Sequence, residues 1–218
     1  MKSTTSLLAA LAMGVASATA GVRPAPVDKN PVTPPADPCA TPLSYNNIEL
    51  LYAHTDFDGG GDDGNGFKLD IEYSPINNFF LTAGAQYSDA DGDNLWLLNA
   101  GVGGYIPLTS NIHLAADGGF LWSRYEYDYT IVGGPSGSDS ETDSGWYIRP
   151  QIRAKWGCLE ARIGAIYRDL GNNSAYDGEW ALFAKLYYQL TPAWDVTVGI
   201  EHDDDFYTQV SGGVRYRF

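Results

Sequence analysis

From Trp146 to Trp156 the chain alternates between two kinds of residue. Trp146, Ile148, Pro150, Ile152, Ala154 and Trp156 form one set; Tyr147, Arg149, Gln151, Arg153 and Lys155 form the other. A repeat of two is that of a β-strand, here with one apolar and one strongly polar face. An aromatic ring closes the apolar face at each end. At roughly 3.3 Å per residue and a tilt near 45°, the segment rises about 23 Å, close to the ~25 Å apolar band of a membrane-spanning barrel. The pattern predicts a strand with lipid on one side and a polar lumen on the other.

The same reading repeats along the chain. Ile48, Leu50 and Tyr52 face outward on the first strand. On the second, Phe67, Leu69, Ile71 and Tyr73 face outward against Lys68, Asp70, Glu72 and Ser74 inward. Later segments continue to a last strand that runs from Phe206 to Phe218, ten in all. The expected fold is all-β: an antiparallel up-and-down transmembrane β-barrel of ten strands, whose even number brings both termini to one side. All six tryptophans fall on the outward face near a strand end. Tyr87, Trp96, Trp122, Trp146, Tyr167, Trp180 and Phe206 form one predicted belt. Tyr73, Phe79, Trp156, Tyr188, Trp194 and Tyr216 form the other. Tight turns alternate with longer Gly- and Asp-rich loops, among them 56–66, 88–94, 132–145 and 171–178. Pro150 removes a ladder hydrogen bond, for which a local bulge is the expected accommodation.

The N-terminus reads as an export signal over residues 1–20: Lys2, an apolar run from Leu7 to Ala18, and Ala18-Thr19-Ala20 as the cleavage site. Residues 21–43 are proline-rich and read as a periplasmic linker. The barrel is expected over 44–218. Mean hydropathy is that of a soluble protein, because alternation hides the apolar face from averaging.

The terminal Val214-Arg215-Tyr216-Arg217-Phe218 resembles the assembly signal of bacterial outer-membrane barrels. Together with the alternation and the belts, it makes residues 45–218 resemble the small barrels of the opacity and OmpA-like transmembrane class. Many members have eight strands, so eight is the alternative to ten. Ten resembles omptin proteases or Opc-type adhesins in size. The resemblance implies a Gram-negative-type outer membrane, periplasmic termini and extracellular long loops. It also implies outer-membrane lipid and lipopolysaccharide as surroundings, and the barrel-assembly machinery as a partner of the strand ending in Phe218. A monomer is expected.

The inward face is charged. Arg149, Arg153, Lys155, Arg162 and Arg168 stand on one wall, facing Glu49, Asp70 and Glu72, with Glu201 nearby. Unpaired charges in a narrow interior are costly, so pairing across the lumen is expected. Two readings follow: a salt-bridged plug that closes the barrel, or a transverse field across a narrow solute-selective pore. Inward glycines such as Gly101, Gly103, Gly164 and Gly199 leave space, whereas Tyr105, Phe183 and Tyr187 can fill it. Beyond Trp122, Tyr125, Tyr127 and Tyr129 continue the inward face, while Arg124, Glu126 and Asp128 take the outward one. The hairpin is therefore expected to project into water, offering a binding surface or simple packing.

Cleaving the signal leaves 12 basic against 27 acidic residues, a formal charge of −15, which speaks against nucleic acid as a partner. Asp89, Asp91 and Asp93 only partly match a calcium loop, and solvated loops are the simpler reading; no cofactor is expected. Omptins use paired aspartates facing an Asp-His pair, but Glu201-His202-Asp203 departs from that spacing. Neither His54 nor His113 has a sequence partner for a triad, so no enzyme activity is expected. Cys39 and Cys158 share an oxidising compartment. Six extended residues reach about 20 Å, so a disulfide between them would drape the linker over the periplasmic opening. Two free thiols are the alternative. These readings favour a structural or adhesin-like surface role, with a narrow passive channel as the alternative.

Overall fold

The alternating segments form ten strands: β1 (Asn47–Phe57), β2 (Gly64–Ile76), β3 (Phe79–Ala90), β4 (Asp93–Pro107), β5 (Ile112–Thr130), β6 (Ser136–Trp156), β7 (Leu159–Asp169), β8 (Glu179–Gln189), β9 (Trp194–Asp203) and β10 (Tyr207–Arg217). The computed structural model describes residue 39 and residues 41–57, 63–90, 93–130, 136–171, 178–203 and 207–218, without the side chains of 128–130 and 136. Each strand pairs antiparallel with its neighbours in sequence. β1 closes on β10 from Asn47↔Arg217 to Phe57↔Tyr207. Closure satisfies the backbone groups that lipid cannot hydrogen-bond.

The exterior is apolar because every second residue of each strand must face it. Phe67, Val102, Ile163, Leu182 and Val198 are each more than half exposed there. Ring contacts outline both belts. Trp146, Tyr167 and Trp180 run in a row across β6, β7 and β8, with centroids 5.1 and 5.2 Å apart. At the opposite end Trp194 meets Tyr216 at 4.9 Å, and Tyr216 meets Phe218 at 6.4 Å. Phe206 lies outside the described residues.

Two local expectations need correction. Pro150 produces no bulge: β6 and β7 keep one register on both sides, and only the pairings of Arg149 and Pro150 are missing. The reason is local. Gly164 on β7 has no Cβ, and a Cβ there would strike the Pro150 carbonyl, so the strands stay close where the hydrogen bond is lost. Much of the expected loop 132–145 is strand, with β5 and β6 paired out to Thr130↔Ser136. The β6–β7 turn is tight because Gly157 adopts a φ of 57°, a conformation that suits glycine.

Candidate functional site

Layers of side chains fill the lumen, beginning at the end where β1 starts and β10 finishes. There residues 41–46 enter the barrel. Thr41 accepts hydrogen bonds from Lys155 (2.9 Å) and Arg217 (3.0 Å). Tyr45, 3% exposed, stacks on Tyr105 and Phe80 with centroids 4.2 and 4.7 Å away. Arg153 caps the Tyr45 ring at 4.2 Å and donates to the Ser44 carbonyl at 2.8 Å. Cys39 and Cys158 form a disulfide, Cα atoms 4.4 Å apart, which ties this segment to the β6–β7 turn.

Deeper in, each acid is paired with at least one cation from another strand. Glu160 accepts from Arg153 (2.8 Å) and Arg215 (2.7 Å), and Asp195 from Arg215 (2.6 Å) and Arg217 (2.8 Å). Glu72 binds both Arg153 (3.1 Å) and Arg162 (2.8 Å) across the barrel. Lys185 bridges Glu49 (2.9 Å) and Asp70 (3.2 Å). Arg149 makes a two-pronged contact with Asp117 on β5, at 3.0 and 2.9 Å. Toward the other end Arg168 and Lys68 hold Glu201 at 2.5 and 3.4 Å. Burial of this kind requires such pairing, since a lone charge in a low-dielectric interior is unstable.

The charges singled out from the sequence are all inward; Arg153 and Arg162 reach Glu72 across the lumen, whereas Arg168 on β7 meets Glu201 one strand beyond its neighbour, on β9. Arg149 and Lys155 do otherwise. Arg149 pairs with a neighbouring strand, and Lys155 bonds the neutral Gln189 at 2.7 Å. The sequence reading passed over Glu160, Lys185, Asp195, Arg215 and Arg217, although their parity already placed them inward. The inward glycines do not open a pore. A Cβ at Gly101 would meet the Tyr147 hydroxyl, at Gly103 the Phe80 ring, and at Gly164 the Phe183 ring. These glycines make room for rings from other strands. A cavity of about 50 Å³ lies among Lys68, Asp70, Arg149, Arg162, Lys185 and Glu201, space for a few waters.

The second feature is the β5–β6 hairpin beyond the Trp146 belt. Tyr125 and Tyr127 stack at 5.6 Å, and Tyr125 donates to Asp93 Oδ2 at 2.6 Å. Partial burial, helped by this hydrogen bond and the Asp93 charge, pushes the Tyr125 phenol up to about 12. The Tyr129 side chain and all of Asp91 lie outside the described residues. Asp89 accepts from the Tyr87 hydroxyl at 3.3 Å. No group of three or more His, Cys, Asp or Glu suited to a metal ion occurs among the described residues. His202 is exposed and bonds Thr208 at 2.9 Å.

No protein-family model matches the chain, and no curated protein matches it. Among solved structures it is similar to Neisserial surface protein A (12% identity, 79% of this chain and 95% of that one, TM-score 0.41). It is also similar to Ail, the attachment invasion locus protein of Yersinia pestis (14%, 79% and 95%, TM-score 0.38). The KdgM porin is a third (16%, 78% and 99%, TM-score 0.42).

Proposed function

We propose that the protein is a sealed outer-membrane barrel that acts at the cell surface through its projecting β5–β6 hairpin and acidic loops, in a structural or adhesin-like role. The filled lumen carries this reading. Cross-barrel ion pairs and stacked rings fill the barrel at several levels, and the cavity beside Lys68, Asp70 and Glu201 holds only about 50 Å³, which favours a closed wall over a solute path. The apolar exterior and its two aromatic belts support a bilayer location. The export signal and the C-terminal strand support the outer membrane of a Gram-negative-type bacterium, with termini periplasmic and long loops extracellular. Lipopolysaccharide then surrounds the outer belt, and the chain works as a monomer without catalysis.

Conductance tests the reading. The mature chain, refolded and inserted in a planar bilayer, is expected to be silent, with folding checked by heat-modifiable gel mobility. Discrete steps that change when Arg153 or Glu72 is neutralised would instead establish a charge-lined channel.

A further inference from the structure

Lys155 is the odd charge of the lumen. The residue is only 5% exposed, and among the described residues its ammonium forms no ion pair. Its Nζ donates instead to neutral oxygens, Thr41 Oγ1 at 2.9 Å and Gln189 Oε1 at 2.7 Å. A buried ammonium normally faces a counter-charge, because neutral dipoles recover only part of what burial costs. The neighbours do not make up the deficit. At this level Arg153, Lys155, Arg215 and Arg217 face two acids, Glu160 and Asp195, four against two. Including Glu72 and its second partner Arg162 gives five against three, the same surplus of two positive charges.

That surplus converges on one oxygen. Thr41 Oγ1 accepts from Lys155 Nζ on β6 and, at 3.0 Å, from Arg217 Nη1 on β10. It donates its own proton to Gln189 Oε1 on β8 at 2.9 Å. A neutral oxygen therefore stands between two cations, where an ionised oxygen would bind about twice as strongly. Thr41 is not part of the barrel wall. It belongs to the strap of residues 41–46, which Tyr45 anchors at one end and the Cys39–Cys158 disulfide at the other. The seat is built by three strands, whereas its occupant arrives on the strap.

We propose that Lys155 and Arg217 form a binding site for an oxyanion, a carboxylate or phosphate group, and that the N-terminal strap fills it with the Thr41 hydroxyl as a self-inhibiting contact. Tyr45 and the disulfide set how readily the strap gives way. The site lies at the mouth where β1 begins, so it goes beyond the surface role and does not depend on it.

Two experiments on the full mature chain, refolded in a neutral detergent, test the seat and its occupant. Thr41→Asp places a carboxylate on the strap itself, against both cations. The urea midpoint is expected to rise, whereas Thr41→Asn, of like size and neutral, should not raise it. In a Lys155→Met background the gain from Thr41→Asp should shrink. The second experiment uses Cys39→Ser/Tyr45→Ala to free the strap, checked by proteinase K cleavage between residues 39 and 46. Inorganic phosphate is the probe, followed by phosphorus NMR line broadening at constant ionic strength, with acetate as competitor. The unmutated chain should leave the line sharp, and the freed chain should broaden it saturably. Adding Lys155→Met or Arg217→Met to the freed chain should weaken binding roughly tenfold or more. Displacement by acetate at comparable concentration would identify a carboxylate as the preferred group, and resistance to it a phosphate. The proposal is overturned if Thr41→Asp does not stabilise the chain, or if its gain survives Lys155→Met intact. It is overturned equally if the freed chain, with its strap cleavable, leaves the phosphate line unchanged. Should the freed chain not refold, the Thr41→Asp and Lys155→Met pair decides alone.

Discussion

Lys185 and Arg153 are both buried cations in ion pairs, yet removing them should cost different amounts. Glu49 draws its one ion pair among the described residues from Lys185. Lys185→Met leaves that carboxylate buried without a counter-charge, and stability should fall by about 3–5 kcal/mol. Arg153→Met is milder, about 1–3 kcal/mol, because Glu72 keeps Arg162 and Glu160 keeps Arg215. Urea unfolding of both variants in one detergent decides the order. Equal losses would mean that the lumen charges act as a diffuse pool. Outside the membrane, Tyr125 holds its proton more tightly folded than unfolded. Its contribution to stability is complete below about 10, the ordinary phenol value, and is lost as pH rises through about 12. Labelled-tyrosine NMR should show a resonance titrating near 12 that disappears in Tyr125→Phe and moves down in Asp93→Asn.

At the scale of elements, the β6–β7 pair tolerates Pro150 because Gly164 lets the strands approach. Gly164→Ala places a methyl against the Pro150 carbonyl and the Phe183 ring, and should cost about 1–3 kcal/mol in the same urea assay. A neutral result would mean that the gap in the ladder is loose enough to absorb a methyl. The strand walls were legible in the sequence because lipid and lumen impose opposite polarity on neighbouring residues. Leu50, Phe67, Ile152 and Leu182 could stand on no other face. The pairing of Arg162 with Glu72 was only partly legible. Alternation gives direction, but which walls meet depends on circumference and stagger, which no single strand carries. The outer part of β6 was illegible for a different reason. Ser138-Asp139-Ser140-Glu141-Thr142 is bathed in water on both faces, so neither face needs apolar residues and its composition reads as loop.

For the whole molecule, closure is distributed along the barrel instead of resting on one gate. The segment at residues 41–46 blocks one mouth, held by the Cys39–Cys158 disulfide and the Tyr45 stack. Beneath it Tyr187 is fully buried with Arg215 over its ring at 3.6 Å, and Arg162 and Glu72 complete that level. Lys185, Glu49 and Asp70 follow, and then Glu201 with Arg168 and Lys68. Any ion crossing the barrel would have to pass every level in turn, and emptying one leaves the others shut. Cys39→Ser/Tyr45→Ala, which frees the N-terminal segment, should therefore remain silent in a planar bilayer. The segment itself should then become open to proteinase K between residues 39 and 46. Adding Tyr187→Ala and Arg215→Ala removes two large side chains of the next level, and conductance is expected only when such levels are removed together. If the first variant alone conducts, the N-terminal segment is a gate on an otherwise open channel, and the surface role loses its main support.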